Sequence, residues 1–179
     1  TENIGFGKAN NQALALANGE YILFLNPDTI VPENCFTESI GFYEQTPNCG
    51  ALGIKMVDGK GVFLPESKRA FPSPLTSFCK LVGLSNIFPK SAIFNKYALG
   101  HLSENENHEV DVLAGAFMLL SKDVLQKVKG FDDTFFMYGE DVDLSYRIQA
   151  AGYKNYYFSN SNIIHFKGES TKKGSLNYV

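Results

Sequence analysis

Gly19–Thr29, GEYILFLNPDT, sets an unbroken apolar run, Tyr21–Leu25, directly before an Asn-Pro-Asp-Thr turn. A run of this length without polar alternation reads as a strand covered on both faces, as in the sheets of α/β proteins. Upstream, Gly5–Asn18 (GFGKANNQALALAN) places Ala9, Ala13, Leu16 and Ala17 on one helical face and stops at Asn18-Gly19. Downstream, a helix is expected from about Pro32 to Gln45, then a strand Ala51–Val57 turning at Asp58-Gly59. Strand and helix alternate from the first elements onward, the pattern of an α/β sandwich with a mainly parallel central sheet.

The second half continues that alternation after an irregular stretch, about 61–108, rich in Pro, Ser, Phe and Lys. Val110–Leu120 (VDVLAGAFMLL) reads as one long buried strand, and Lys122–Val128 as a short helix. Phe131–Gly152 (FDDTFFMYGEDVDLSYRIQAAG) sets Glu140 and Asp141 behind an aromatic segment, in the first turn of a helix. Backbone N–H groups favour negative charge there. Leu144, Ile148 and Ala151 share a face to be buried, and Asp143 and Arg147 can pair four residues apart. Tyr153–Phe158 and Ile163–Phe166 are expected as two final strands, with a polar tail after Lys167.

With 179 residues, one domain over 1–179 with a sizeable core is expected. A net charge of −3 gives no reason to expect nucleic-acid binding. Cys35, Cys49 and Cys79 lack CxxC spacing, and their odd number argues against a disulfide framework and for a reducing compartment. No apolar run reaches the roughly 20 residues that span a bilayer. The chain opens at Thr1 and enters a helical pattern almost at once, as a piece of something longer would.

Asp28 falls just past the carboxyl end of the first strand, where open α/β sheets bind ligands. A carboxylate there suits Mg²⁺ or Mn²⁺ bridging to phosphates, yet Asn-Pro-Asp-Thr is equally ordinary turn and capping chemistry. Glu140 and Asp141 likewise serve either a site or only the helix dipole. His165, ending the apolar Ile163–Ile164 pair, is a structural histidine unless it meets Asp28, in which case the two can share a metal. Gly5-Phe6-Gly7 lacks the third glycine and the preceding strand of a dinucleotide fingerprint, which excludes that reading. Ser67–Gly100 carries Lys68, Arg69, Lys80, Lys90 and Lys96, interleaved with aromatic and aliphatic residues and without an acid. Such a surface suits anionic lipid or a diphosphate-linked acceptor, or is a partly packed loop with solvated lysines.

Four segments in this order, NIGFGKANNQAL, GEYILFLNPDT, VDVLAGAFMLLSKDVLQKVKGFDDTFFMYGEDVDLSYRIQAAGY and IIHFKGES, resemble family 2 glycosyltransferases of the GT-A fold. The likeness is greatest to rhamnosyltransferase-like members that build bacterial surface polysaccharides, and it covers most of the chain outside 61–108. It implies an inverting, Mg²⁺- or Mn²⁺-dependent transferase acting on a nucleotide-sugar donor and a saccharide or lipid-linked acceptor. The cytoplasm is the implied location, with peripheral contact at the inner face of the plasma membrane. Asp28 would bind the metal in place of the family's DxD motif, with Asn26 replacing its first acid, and His165 would be a further metal or diphosphate contact. Asp141 would be the catalytic base, with Glu140 beside it. Donor contacts would come from Asn3, Gly5, Lys8, Asn10 and Asn26, and acceptor contacts from Asp111, Gly115 and Ala116. Family members begin with a strand, a helix and a second strand that hold the nucleotide. Those N-terminal strands are missing before Thr1, so this chain alone is expected to bind donor weakly, to be inactive, and to self-associate through exposed strand edges. The alternative from another class is a non-catalytic carbohydrate- or nucleotide-binding module of the same fold.

Overall fold

The computed structural model describes residues 3–166. In chain order the elements are α1 (Phe6–Leu14), β1 (Tyr21–Leu25), β2 (Thr29–Ile30), α2 (Cys35–Gln45), β3 (Cys49–Val57), α3 (Pro74–Leu81) and α4 (Leu84–Ile87). They continue with β4 (His108–Val110), β5 (Phe117–Ser121), α5 (Lys122–Val128), α6 (Glu140–Ala150) and β6 (Lys154–His165). The strands form one sheet in the order β1-β5-β3-β6-β2, with β4 also on β6. Its longest pairing, β3 with β6, is parallel, whereas β1–β5, β3–β5, β2–β6 and β4–β6 run antiparallel. The sheet is therefore mixed, with the expected parallel character concentrated in its central pair.

Side-chain alternation along β5 divides the interior into two layers. Met118 and Leu120 join a core with Phe24, Leu144, Ile148, Val124 and Leu125, which lies under α5 and α6. Phe117 and Leu119 join Leu52, Ile54, Phe158 and Ile163, covered by α2 through Cys35 and Tyr43. Helices thus cover both faces, the layering that the strand–helix alternation dictates.

Local chemistry sets the ends of several helices. Ser73 and Thr76 form a capping box at α3 with Pro74 in its first turn, and the Ser121 hydroxyl accepts from the Val124 amide at α5. α6 begins after two left-handed residues, Tyr138 (φ 69°) and Gly139 (φ 98°), and carries Glu140, Asp141 and Asp143 in its first turn. Leu144 and Ile148 are fully buried and Arg147 pairs with Asp143 at 2.7 Å, both as expected. Ala151, the helix's C-cap, is exposed rather than part of that face.

Four more sequence expectations change. Val110–Leu120 is not one strand: β4 ends at Val110 and β5 starts at Phe117, because residues 111–116 leave the sheet and cross toward α6. Conversely, the two expected last strands are one, β6. Its register jumps from Ile54 opposite Phe158 to Lys55 opposite Asn162, so residues 159–161 form a bulge, in which the Ser159 amide donates to Asn107 Oδ1. The buried face of α1 is Phe6, Gly7 and Leu14 rather than the alanine side. Ala9 and Ala13 are exposed and Leu16 is 80% exposed, since larger apolar groups win the contact with the core. β1 lies at the end of the sheet, so Leu25 is exposed instead of covered on both faces.

Candidate functional site

β2 is only two residues long, but its antiparallel pairing with the end of β6 sets Thr29 opposite His165. The Phe166 amide also donates to the Asp28 carbonyl at 2.9 Å. Asp28 and His165, 137 residues apart in numbering, therefore meet, with Oδ1 3.3 Å from Nε2. The Asn26 amide lies 3.4 Å from the same Nε2, and the Thr29 hydroxyl ties back to the Asn26 carbonyl at 2.8 Å. His165 is 8% exposed, and its Nδ1 has no hydrogen-bond partner among the described residues.

A protonated Nδ1 leaves the Nε2 lone pair directed toward Asp28 and Asn26, and a cation can take such a lone pair. One imidazole nitrogen and one carboxylate oxygen fit a divalent ion that completes its shell with phosphate oxygens and water. The nitrogen suits Mn²⁺ better than the strictly oxygen-seeking Mg²⁺. Among the described residues no group of three or more His, Cys, Asp or Glu could hold a metal. Substrate oxygens would thus be part of any such site.

The segment 111–116 connects this corner to the acidic helix. At one end the Ala116 carbonyl accepts from the Asn26 amide at 3.0 Å. Beside it, a Cβ on Gly115 would stand 3.5 Å from the Phe6 ring and 3.9 Å from the Asp141 Cβ. Gly115 thus lies against the Phe6 ring and Asp141, and Ala116 is buried and joins the two halves. Asp111 turns inward: its carboxylate accepts from the Phe71 amide at 3.2 Å.

Arg69 is the residue that sequence reasoning missed. Its backbone pairs with Val112 in both directions, at 3.1 and 2.9 Å, which delivers its guanidinium to the start of α6. There Nη2 contacts Asp141 Oδ2 at 2.5 Å and the Leu113 carbonyl at 3.0 Å, while the Val142 amide holds Asp141 Oδ1 at 2.8 Å. Burial works against the Arg69 charge, but Asp141 more than offsets it, and the guanidinium pKa is raised. Each Asp141 oxygen keeps a lone pair for a further donor. The Arg69 backbone pairing links residues more than forty apart. Its one sequence trace is that Arg69 stands among cations in a stretch without acids.

Glu140 differs from its neighbour. It is 9% exposed, Oε2 has no partner among the described residues, and burial together with the Asp141 charge raises its pKa. A raised acid pKa contributes stability at low pH that is lost as pH rises through the folded-state value. Glu140→Gln is expected to raise the melting temperature at pH 7 by about 2–4 °C, equivalent to about 1 kcal/mol, and not at pH 4. Equal shifts at both pH values in calorimetry would show that ionisation is not involved.

The proposed donor contacts are local. Asn3 Oδ1 accepts from the Gly5 amide at 3.1 Å, Asn10 donates to the Phe6 carbonyl at 2.9 Å, and Lys8 is exposed. Gly5 has φ 89°, and a Cβ there would meet the Phe136 carbonyl at 2.5 Å, which pins the start of α1 to the aromatic turn before α6. Asn11 adds to this junction, donating to the Phe131 carbonyl and accepting from its amide. Lys167–Ser170, the end of the IIHFKGES segment, lies outside the described residues.

Comparison with known proteins gives a consistent result. The family described as Glycosyl transferase family group 2 matches residues 21–177. An N-acetylglucosaminyl-diphospho-decaprenol L-rhamnosyltransferase of Mycobacterium tuberculosis is 27% identical over 99% of this chain and 60% of its own length. Rhamnosyltransferase WbbL of Escherichia coli is 31% identical over 90% of this chain and 61% of its own. The chain thus spans about three-fifths of the curated relatives it matches. A crystal structure of GalNAc-T7 with UDP, GalNAc and Mn2+ superposes with a TM-score of 0.60 at 13% identity, covering 90% of this chain and 30% of that one. At that identity the likeness shows the fold, GT-A.

Proposed function

Because the chain belongs to Glycosyl transferase family group 2, we propose that it forms the catalytic region of an inverting, metal-assisted transferase in bacterial surface polysaccharide synthesis. The donor would be a nucleotide-diphosphate sugar and the acceptor a saccharide or lipid-linked saccharide. The observation that carries this reading is the 111–116 segment, which holds Asn26 at one end through Ala116 and sets Gly115 beside Asp141. On this reading the residues for the leaving diphosphate and those for acceptor activation would share one short piece of backbone.

In the proposed step an acceptor hydroxyl oxygen bonds to the anomeric carbon as the bond from that carbon to the diphosphate oxygen breaks. The leaving group departs with the electron pair, and the hydroxyl proton passes to Asp141. A carboxylate within hydrogen-bond reach suits this task. Arg69 and the Val142 amide fix the Asp141 carboxylate in one orientation while leaving it a lone pair for the hydroxyl. Asp28 and His165 would hold Mn²⁺ or Mg²⁺, which when bound supplies charge stabilisation to the departing diphosphate. The rhamnosyltransferase names of the relatives favour a deoxyhexose donor, and the diphospho-decaprenol in one of them favours a lipid-linked acceptor.

A thermal-shift series on the full-length protein with UDP-, GDP- and dTDP-sugars tests the donor site. One nucleotide sugar is expected to raise the melting temperature by about 5–10 °C at a hundredfold excess over its dissociation constant. That increase should need Mn²⁺ and be lost in Asp28→Ala. No stabilisation by any of the three, with or without metal, would remove the transferase reading.

A further inference from the structure

We propose that α3, α4 and the turn after them form a docking face for an anionic lipid bilayer. The stretch that contains them, Ser67–Gly100, holds five basic residues and no acidic one in a chain of net charge −3. Two of those cations are used internally: Lys68 is buried with Nζ on the Leu99 and Leu102 carbonyls, and Arg69 is paired with Asp141. Lys80, Lys90 and Lys96 remain exposed.

Large apolar side chains are exposed among them. On α3, Leu75, Phe78, Leu81 and Val82 recur at helical spacing as a stripe beside the buried Thr76 and Cys79. Leu81 is 86% exposed and Phe78 57%. On α4 and beyond, Ile87 is 66% and Ile93 62% exposed, and the Phe88 and Phe94 rings pack at 5.2 Å. A single exposed leucine needs no explanation, but a concentrated apolar patch does. Lysines interleaved with it single out the occupant. An apolar protein partner would be no better for them, whereas anionic headgroups complement the lysines and the acyl boundary takes the leucines and phenylalanines. No helix among the described residues is long and apolar enough to cross a membrane, so contact at this face would be interfacial.

The same face adjoins the chemistry. Lys80 and Arg69 line one cavity of about 730 Å³ between α3, α4 and residues 94–98, and Arg69 reaches Asp141. Docking by α3 and α4 would therefore hold this cavity, with the Asp141-paired Arg69 in its wall, beside the lipid surface.

Co-sedimentation with vesicles decides this without any sugar donor, so its outcome is independent of the proposed transfer reaction. The protein is expected to pellet with phosphatidylglycerol vesicles at least about tenfold better than with phosphatidylcholine vesicles, and less well as salt rises. Lys90→Gln and Lys96→Gln should each weaken binding about fivefold. Leu81→Glu should abolish it with an unchanged melting temperature, since the side chain is outside the core. Equal pelleting with both lipids would overturn the proposal. So would a lipid-independent oligomer that Leu81→Glu converts to monomer in light scattering, because the face would then be a contact between copies.

Discussion

Asp141→Asn is expected to lower sugar transfer by about 10²–10⁴-fold, the usual contribution of a positioned general base, while leaving nucleotide-sugar affinity within about twofold. The asparagine keeps the shape of the side chain and can still offer an oxygen to Arg69 Nη2, so the start of α6 should stay in place. What it loses is the carboxylate's charge and one of its two acceptor oxygens, and with them the basicity needed to take the hydroxyl proton. Donor affinity should persist because Asp28, Asn26 and His165 form a separate cluster, with residues 111–116 between it and Asp141. Transfer rates measured beside calorimetric donor binding separate the outcomes. Loss of both would indicate a collapsed site, and retention of both would favour the non-catalytic binding module of the same fold.

The residues of this site were legible in sequence to differing degrees. Glu140 and Asp141 stand out because a helix start, an aromatic turn and a buried stripe at Leu144 and Ile148 are all local patterns. Asp28 is marked by its place after an apolar strand. The meeting of Asp28 with His165 is not legible, since it depends on a two-residue strand pairing with one more than 130 positions away. Periodicity carries no information about such a contact. The break between β4 and β5 had a local trace, a glycine inside an apolar run, which often marks a close backbone approach. In VDVLAGAFMLL the apolar continuity outweighed it, although a Cβ on Gly115 would touch the Phe6 ring and the Asp141 Cβ. The alanine face of α1 misled for a related reason: small residues satisfy a helical period but bury little area, and Phe6 and Leu14 decide the contact.

Arg69→Met is expected to destabilise the fold by about 3 kcal/mol, a fall in melting temperature of about 6–12 °C. The ion pair it breaks is largely enclosed, with 14% exposure for the Arg69 side chain and 19% for Asp141. Methionine fills much of the same volume but leaves the Asp141 carboxylate with the Val142 amide and without its cation, and it strips the Leu113 carbonyl of its side-chain donor. Removing one partner of an enclosed pair costs more than the pair itself contributes, because the remaining charge must stay desolvated. The cost should therefore depend on the charge of Asp141. In the double variant Arg69→Met with Asp141→Asn, most of the lost stability should return, giving a coupling energy of about 2 kcal/mol in denaturant titrations. Additive effects would mean that Arg69 acts through its hold on the Leu113 carbonyl and on the Tyr97 hydroxyl, which accepts from Nη1 at 3.4 Å, as a brace for the loop.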